Sequence, residues 1–344
     1  MRPGSRDGFE IAIICALPLE ADAMEALFDE NYDTMGQIYR KQPGDANSYT
    51  TGRIGQHNIV LCYMPGMGKG SAASVASSLR VSYTGIKLAL VVGICGGVPF
   101  PQRNTTIVLG DVIISDSVIE YDFGRQYPHG FRRKSDLKDT LGRPTREIRT
   151  FLAGLKTRRM RNTLQERLLL YLEELQMHTQ SDWHYPGIME DVLFETSYRH
   201  KHHQRLLTAN CLCNHDTSII DNICDKALKS DCRELGCEGK QIRRDRLCAG
   251  SPSPVVHIGT IASADTVMKS GEHRDKLAEI EGIIGLEMEG AGVWDNIPCV
   301  IIKGVCDYAD SHKNKIWQDY AAATAASCTK TFLDYWIPTK HENR

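Results

Sequence analysis

Gly285-Leu-Glu-Met-Glu-Gly-Ala-Gly292, followed ten residues later by Lys303-Gly-Val-Cys-Asp-Tyr-Ala-Asp310, is the stretch on which the reading of this chain turns. It sets three carboxylates, Glu287, Glu289 and Asp307, beside small residues that let a ligand approach the backbone. Val293–Trp294 reads as the start of a helix and Val300 to Val305 as a buried strand. Asp307 then falls just beyond the C-terminal end of a strand, where open α/β sheets bind their ligands. Taken alone, such carboxylates read equally as solvated loop or cap groups, so their meaning depends on the other segments.

Upstream, Phe9 to Leu17 is almost continuously apolar and β-branched, which predicts a strand covered on both faces. Pro18 then opens a helix over Leu19 to Phe28, placing Glu20 in its first turn, a position that a positive helix end favours on its own account. Tyr49 to Ile54 and Asn58 to Tyr63 form a hairpin pattern around Gly55-Gln-His57. Met64 to Leu79 is a Gly-rich turn leading into a helix of small residues. It lacks Walker spacing, so Gly66 marks a close backbone approach and not a triphosphate loop.

Leu88 to Val92 predicts a central strand running into a glycine turn, Gly93-Ile-Cys-Gly-Gly97, where a ligand or its attacking water could lie against backbone N–H groups. Gly110 to Ser115 begins another strand, Tyr121 to Gly124 closes this half, and sheet-like sequence resumes at Val255 to Ile261. Ala262 to Met268 is a polar turn, Gly271 to Ile280 a surface helix, and Trp317 to Tyr335 the last helix. Together these predict an α/β fold with a mixed central sheet flanked by helices.

Between the halves, residues 125 to 253 differ in texture and read as a helical, Cys/His-containing insertion. It interrupts one domain spanning 9 to 336, with a charged tail at 337 to 344. Arg125 to Arg167 holds thirteen Lys or Arg against four Asp or Glu, which suits either a solvated helical face or an anion site. Thr150 to Gln176 has helical spacing, with Leu152, Leu155, Leu164, Leu168, Tyr171, Leu172 and Leu175 on one face. Of the twelve cysteines, Cys15, Cys62, Cys95, Cys299, Cys306 and Cys328 lie in apolar segments and read as reduced core residues. The other six crowd between Cys211 and Cys248, near His200, His202, His203 and His215. His200, His202, Cys211, Cys213 and Cys224 are candidate zinc ligands, although no Cys-x-x-Cys knuckle is present, and disulfides are disfavoured without a secretory signal.

The chain has 344 residues, 42% hydrophobic and 24% charged, with a formal net charge of −2. Such a balance fits a soluble globular protein and argues against a general nucleic-acid or membrane binder. No apolar run approaches the roughly 18 residues of a membrane helix. Ile11 to Leu17 is too short and wrongly flanked for a signal peptide, so a cytoplasmic location is expected.

Several motifs in order resemble the nucleoside phosphorylase and nucleosidase superfamily, in particular methylthioadenosine/adenosylhomocysteine nucleosidases. They are the first strand with Glu20, Gly66-Met-Gly-Lys69, Gly93 to Gly97, Gly110-Asp-Val112, Ile261-Ala-Ser263, Glu287-Met-Glu289 and Cys306-Asp307. The match covers Phe9 to Phe123 and Val255 to Trp336, and the insertion is similar to that of fungal proteins in which this domain stands alone or precedes signalling and repeat domains.

The resemblance implies hydrolysis of a purine N-glycosidic bond with no cofactor needed for catalysis. Glu20 would position or deprotonate water and Asp307 would donate a proton or hydrogen bond to purine N7. Glu289 would hold ribosyl hydroxyls, Met288 would pack on the sugar, and Glu287 would support the turn. Gly93, Ile94, Cys95 and Gly96 would line the reacting face, with Val267 and Met268 at the purine edge. Two separated carboxyls, one acid and one base, are also what departure through an oxocarbenium-like sugar requires.

Phosphorolysis is the alternative chemistry, but the positions that carry phosphate-binding Arg and Ser in the phosphorylase branch are Val91 and Ile94 here. A ligand-sensing module of the same fold without turnover is a further alternative. Arg125, Arg132, Arg133 and Lys134, following Tyr121 to Gly124, would suit a 5′-phosphate, which places ATP or dATP ahead of adenosine. The resemblance also implies a small-molecule purine partner and a homo-oligomer.

Overall fold

A computed structural model describes residues 2–36, 38–177, 183–203, 211, 213, 223–248 and 253–338. Its strands are β1 (Ile11–Cys15), β2 (Glu30–Asn31), β3 (Ser48–Ile54), β4 (His57–Tyr63), β5 (Leu88–Gly97), β6 (Val112–Glu120), β7 (Gly124–Tyr127), β8 (Gly130–Arg133), β9 (Val256–Ser263), β10 (Ile283–Glu287) and β11 (Cys299–Asp307). Nine of them form one mixed sheet in the order β10-β9-β6-β11-β5-β1-β4-β3-β2. β10 also pairs antiparallel with β5, through Gly285 to Gly97 and Leu286 to Gly96. The β10-β9-β6-β11-β5 part therefore curls and closes on itself. β7 and β8 form a separate hairpin.

Ile11, Ile13 and Ile14 have no exposed surface, as the unbroken apolar run of β1 predicts for a strand covered on both faces. Each such side chain contributes on the order of 1.5–3 kcal/mol when fully buried. The covering helices include α1 (Pro18–Glu25), α2 (Lys69–Ser82), α3 (Arg146–Leu155) and α4 (Arg158–Gln176). The short α5 (Asp225–Lys229), α6 (Cys232–Leu235) and α7 (Asp245–Cys248) follow, then α8 (Gly271–Glu281), α9 (Gly290–Trp294) and α10 (Gln318–Tyr335).

α10 packs against β11, β5, α1 and α4 and is buried from Tyr320 to Leu333. Its alanines permit this approach. Its buried hydroxyls are satisfied by carbonyls one turn back, Thr324 to Ala321, Ser327 to Ala323, Thr329 to Ala325 and Thr331 to Ser327.

Several expectations need correction. Gly93 to Gly97 is no turn but the end of β5, because Gly93 to Gly96 continue the ladder with Lys303 to Asp307 of β11. Val293 and Trp294 end α9 instead of starting a helix. Thr150 to Gln176 divides into α3 and α4, with Thr157 extended between them and its hydroxyl bonded to the Gly154 carbonyl. The apolar face itself holds, since Leu152, Leu155, Leu164, Leu168, Leu172 and Leu175 are all buried. No helix among the described residues is long and apolar enough to cross a membrane. His215 and the tail from 339 onward lie outside the described residues.

Candidate active site

β5 and β11 lie side by side at the centre of the sheet, and their C-terminal ends face a cavity of about 220 Å³. Glu20, Ile94, Cys95 and Gly96 line it from one side. Glu287, Met288, Glu289 and Asp307 line it from another, with Val267 and Met268 also at the wall. Residues nearly 290 positions apart thus share one small space. Gly66 and Gly93 do not line it, and neither do Arg125, Arg132, Arg133 or Lys134.

Glu20 is 2% exposed and tightly held. Its Oε2 accepts the Ala16 and Leu17 N–H groups at 2.8 and 2.9 Å, and its Oε1 accepts the Ile94 N–H at 2.9 Å. Burial raises its pKa above the ordinary 4.5, against the pull of the Lys303 ammonium and with added repulsion from Glu289. Gly93 serves this placement from behind, because a Cβ there would collide with the Glu20 carboxylate.

Asp307 owes its aim to a bulge. Val305 pairs with Cys95 and Asp307 with Gly96, so two steps on β11 match one on β5 and Cys306 is the extra residue. Asp307 Oδ1 then accepts the Ala309 N–H at 2.8 Å, and Oδ2 pairs with Lys313 Nζ at 3.0 Å. Ala309 has φ +52°, a left-handed conformation uncommon for a residue with a side chain, which marks this loop as constrained. A Cβ on Gly96 would come 3.0 Å from Asp307 Oδ1 and 2.9 Å from the Ala309 side chain. Burial works against the Lys313 ammonium, but Asp307 and its neighbours hold its pKa above the usual lysine value.

The third group is an acidic pair over a buried cation. Glu287 accepts the Glu289 and Gly290 N–H groups at 3.0 and 2.9 Å, an arrangement that orients the start of α9. Its pKa is raised to about 7, chiefly by burial and further by Glu289, with Lys303 opposing. Lys303 Nζ lies 2.9 Å from Glu289 Oε2. Burial alone would push Lys303 down, yet Glu289, Glu20 and Glu287 outweigh it and keep the ammonium charged. Lys303 and Lys313 were both missed as site residues. Their only sequence signal was a lysine inside an apolar strand and another six residues past Asp307.

The basic run lies elsewhere. Arg125 and Arg132 face each other on the β7–β8 hairpin, Arg133 pairs with Glu281 at 2.6 Å, and Lys134 sits over the Phe123 ring. Lys69 likewise is engaged locally, by Glu120 at 2.9 Å and Asp122 at 2.6 Å. The metal candidates separate. His202, Cys211, Cys213 and Cys224 form one cluster, whereas His200 joins Cys232, Cys237 and His312 in a second. A single five-residue site is ruled out by that division.

The connection between β6 and β9 also reaches the site's border. Arg244 from this connection pairs with the buried Asp191 at 2.7 Å, and both contact the Tyr308 hydroxyl, one residue past Asp307. Asp111, of Gly110-Asp-Val112, is fully buried where the connection returns, bonded to Arg246, to His257 at 2.9 Å and to the Val255 N–H at 2.9 Å.

Comparison with known proteins shows the family and the fold. The sequence model of the Phosphorylase superfamily matches residues 10–334. A nucleotide-binding leucine-rich repeat (NLR)-like protein of Hyaloscypha variabilis is 33% identical over 334 residues, covering 94% of this chain. The chain spans only 29% of that protein's length. A 5′-methylthioadenosine/S-adenosylhomocysteine nucleosidase of Mycobacterium bovis is 27% identical over 115 residues, 33% of this chain and 39% of that enzyme.

Among solved structures, futalosine hydrolase of Helicobacter pylori superposes with a TM-score of 0.53 at 16% identity, covering 96% of this chain and 100% of that one. The 5′-methylthioadenosine/S-adenosylhomocysteine nucleosidase of Neisseria meningitidis, in complex with methylthio-immucillin-A, gives 0.53 at 15% identity, over 95% and 99%. With the match of the family model over nearly its whole length, this chain belongs to the phosphorylase superfamily and has the nucleoside phosphorylase/nucleosidase fold.

Proposed function

We propose that this chain is a purine nucleosidase that hydrolyses the N-glycosidic bond of adenine nucleosides. The observation that carries the reading is the seat of Glu20. Its Oε1 already takes the Ile94 N–H at 2.9 Å, at the end of β5 where an attacking phosphate would need that donor. A buried carboxylate in this place repels a phosphate dianion but accepts a hydrogen bond from water. A carboxylate oxygen has lone pairs to spare after one N–H bond, so Glu20 can hold and deprotonate the nucleophile.

The remaining roles are those that the family resemblance implies. Glu289, with the Lys303 ammonium 2.9 Å from its Oε2, grips ribosyl hydroxyls and supports the developing oxocarbenium charge, while Met288 packs on the sugar. Asp307, with the Lys313 ammonium 3.0 Å away, supplies a proton or hydrogen bond to purine N7. Water oxygen bonds to the anomeric carbon as its proton passes to Glu20, the bonding pair leaves with the base, and purine N7 takes the proton that the Asp307 carboxyl delivers, leaving a carboxylate beside the Lys313 ammonium. Ile94, bonded to Glu20, and Gly96, paired with Asp307, are two residues apart on β5, roughly 7 Å of strand, a spacing that would suit a water and a leaving base on opposite faces of a sugar.

The nucleosidases among the relatives and structural neighbours act on thioadenosine and futalosine nucleosides by their names, and a neutral 5′ group fits the cavity of this chain better than a phosphate. Lys313 is the one cation among the described residues that line the cavity, and Asp307 occupies it. The competing nucleotide reading rests on Arg125 and Arg132, on the hairpin three residues beyond cavity-lining Tyr121.

Adenine release from methylthioadenosine, adenosine, AMP and ATP should be followed chromatographically in phosphate-free buffer at two salt concentrations. Free sugar as the product without added phosphate is expected. A requirement for phosphate with sugar 1-phosphate as product would overturn hydrolysis, and a salt-sensitive preference for ATP would overturn the neutral 5′ group. No product from any substrate would favour a ligand-sensing role.

A further inference from the structure

The two sulfur- and imidazole-rich clusters lie outside the cavity and take no part in the chemistry above. In one, the donor atoms of His200, Cys232, Cys237 and His312 all lie within 4.8 Å of one another, and the same holds for His202, Cys211, Cys213 and Cys224 in the other. All of these cysteines are free thiols.

The spacings are those of a tetrahedron. Zinc bonds of about 2.3 Å to sulfur and about 2.05 Å to nitrogen put S and N ligands about 3.6 Å apart across a tetrahedral edge. Cys232 Sγ lies 3.5 Å from His200 Nδ1 and 3.6 Å from His312 Nδ1, and Cys237 Sγ lies 3.7 Å from His200 Nδ1. In the second cluster Cys211 Sγ and Cys224 Sγ lie 3.5 and 3.6 Å from His202 Nδ1.

The outer contacts are of the kind that hold ligands. His200 Nε2 meets the Ser230 carbonyl at 2.9 Å and His312 Nε2 meets the Tyr198 carbonyl at 3.2 Å. A proton on Nε2 satisfies each carbonyl and leaves the Nδ1 lone pair facing the sulfurs, as in metal-bound histidines oriented by backbone. In the second cluster the Cys224 N–H points to Cys213 Sγ at 3.5 Å and the Ala227 N–H to Cys224 Sγ at 3.4 Å, donors suited to thiolates.

We propose that each cluster binds one zinc ion, as a Cys2His2 and a Cys3His site. Four protein ligands complete each tetrahedron and leave no open position, so both ions are structural. Soft thiolates with imidazole select zinc over hard cations, and binding displaces the thiol protons.

The two ions have different work. Every ligand of the Cys3His site comes from the β6–β9 connection, so that ion folds the connection upon itself. The Cys2His2 site takes three ligands from the connection and the fourth, His312, from the segment after β11, next to Lys313 and five residues past Asp307. That ion ties the connection to the loop that follows Asp307, alongside the Arg244–Asp191–Tyr308 contact. His312 is thus a positioning residue.

The test is metal content per chain, measured by plasma mass spectrometry on protein purified without a histidine tag and with release by a mercurial. Two equivalents of zinc are expected. The Cys211→Ser/Cys224→Ser and Cys232→Ser/Cys237→Ser variants should each retain one. His312→Ala should also drop to one, and His312→Cys, which keeps a donor, should restore two.

Because a variant can fail to fold, the wild-type chain should also be stripped and refilled with Co(II), where thiolate charge-transfer and tetrahedral d–d bands are expected. Stripping should raise amide hydrogen exchange in residues 307 to 313, a readout independent of any nucleosidase activity. A wild-type chain with no stoichiometric zinc that also gives no tetrahedral Co(II) spectrum overturns the proposal, as does a Cys232–Cys237 disulfide in freshly purified protein. A single equivalent, lost only in the Cys232/Cys237 variant, overturns the Cys3His site. Unchanged exchange at 307 to 313 on stripping overturns the positioning role.

Discussion

The Lys303 ammonium lies 2.9 Å from Glu289 Oε2 and 3.9 Å from Glu287 Oε2, with 1% of its side chain exposed. One buried cation therefore serves two carboxylates directly and a third, Glu20, through space. Replacing it by an apolar residue of similar length leaves those charges uncompensated in a sealed place. Lys303→Met is expected to cost about 3–5 kcal/mol in denaturant unfolding, the range for breaking a buried pair. A loss below 1 kcal/mol would show that the carboxylates do not depend on it.

Glu20 must be ionised to accept a proton from water, and its pKa is raised above 4.5, mainly by burial. The rate should therefore rise with pH through that raised value, so the acid limb of kcat/KM falls above pH 4.5 and not at it. Glu20→Gln should lose about 10²–10⁴-fold in kcat. A pH–rate profile flat from 4.5 upward would remove Glu20 as the base.

Glu287 provides a stability counterpart with the opposite sense from an ordinary ion-paired acid. Its folded pKa is about 7 against an ordinary 4.5, so the folded chain binds more protons than the unfolded one across that window. By linkage, its contribution is most favourable below about pH 4.5 and declines as pH rises to about 7. Glu287→Gln cannot ionise, so its stability deficit relative to the wild type should shrink between pH 5 and 8. Thermal melts of both proteins across that range check this, and a deficit that grows with pH would contradict it.

Gly93 lies against the Glu20 carboxylate, where a methyl group has no room. Gly93→Ala should push Glu20 from its three N–H donors and lower kcat more than it changes KM, with an overpacking cost of about 1–3 kcal/mol. Steady-state kinetics with a melt on the same sample separate the two effects. Normal kcat in a folded variant would mean that the seat of Glu20 is not critical.

Asp111 anchors the return of the β6–β9 connection. Burial raises its pKa, but hydrogen bonds and charge from His257 and Arg246 more than reverse this and leave it lowered. Such a group adds stability above its unfolded value of 3.8, and that stability is lost as pH falls through the lower folded value. Asp111→Asn should cost about 3–5 kcal/mol near neutral pH, and the gap from wild type should narrow in acid. A constant gap down to low pH would mean that packing, not charge, holds this corner.

Much of the fold was legible locally. Short unbroken apolar runs such as Ile11 to Cys15 and Leu88 to Val92 suit strands covered on both faces, and Pro18 and the small residues after Gly68 mark helix starts. The order of the motifs named the family and half of the cavity wall. Periodicity, however, reports which way a residue faces and not what stands opposite it.

The tertiary structure decided the rest for that reason. Strand register set Asp307 against Gly96 through the Cys306 bulge, and the β1–β5 pairing brought Glu20 to the Ile94 N–H 74 residues away. Lys303 looked like one polar interruption in an apolar strand until three acids from different elements surrounded it. The basic run, with an evident charge signal in the sequence, was drawn off to Glu281, Phe123 and the hairpin surface. Cysteine and histidine counts showed that metal ligands were plentiful. Only folding divided them, because tetrahedral coordination needs four donors meeting at one point in space, and His312 reaches that point from 112 residues beyond His200.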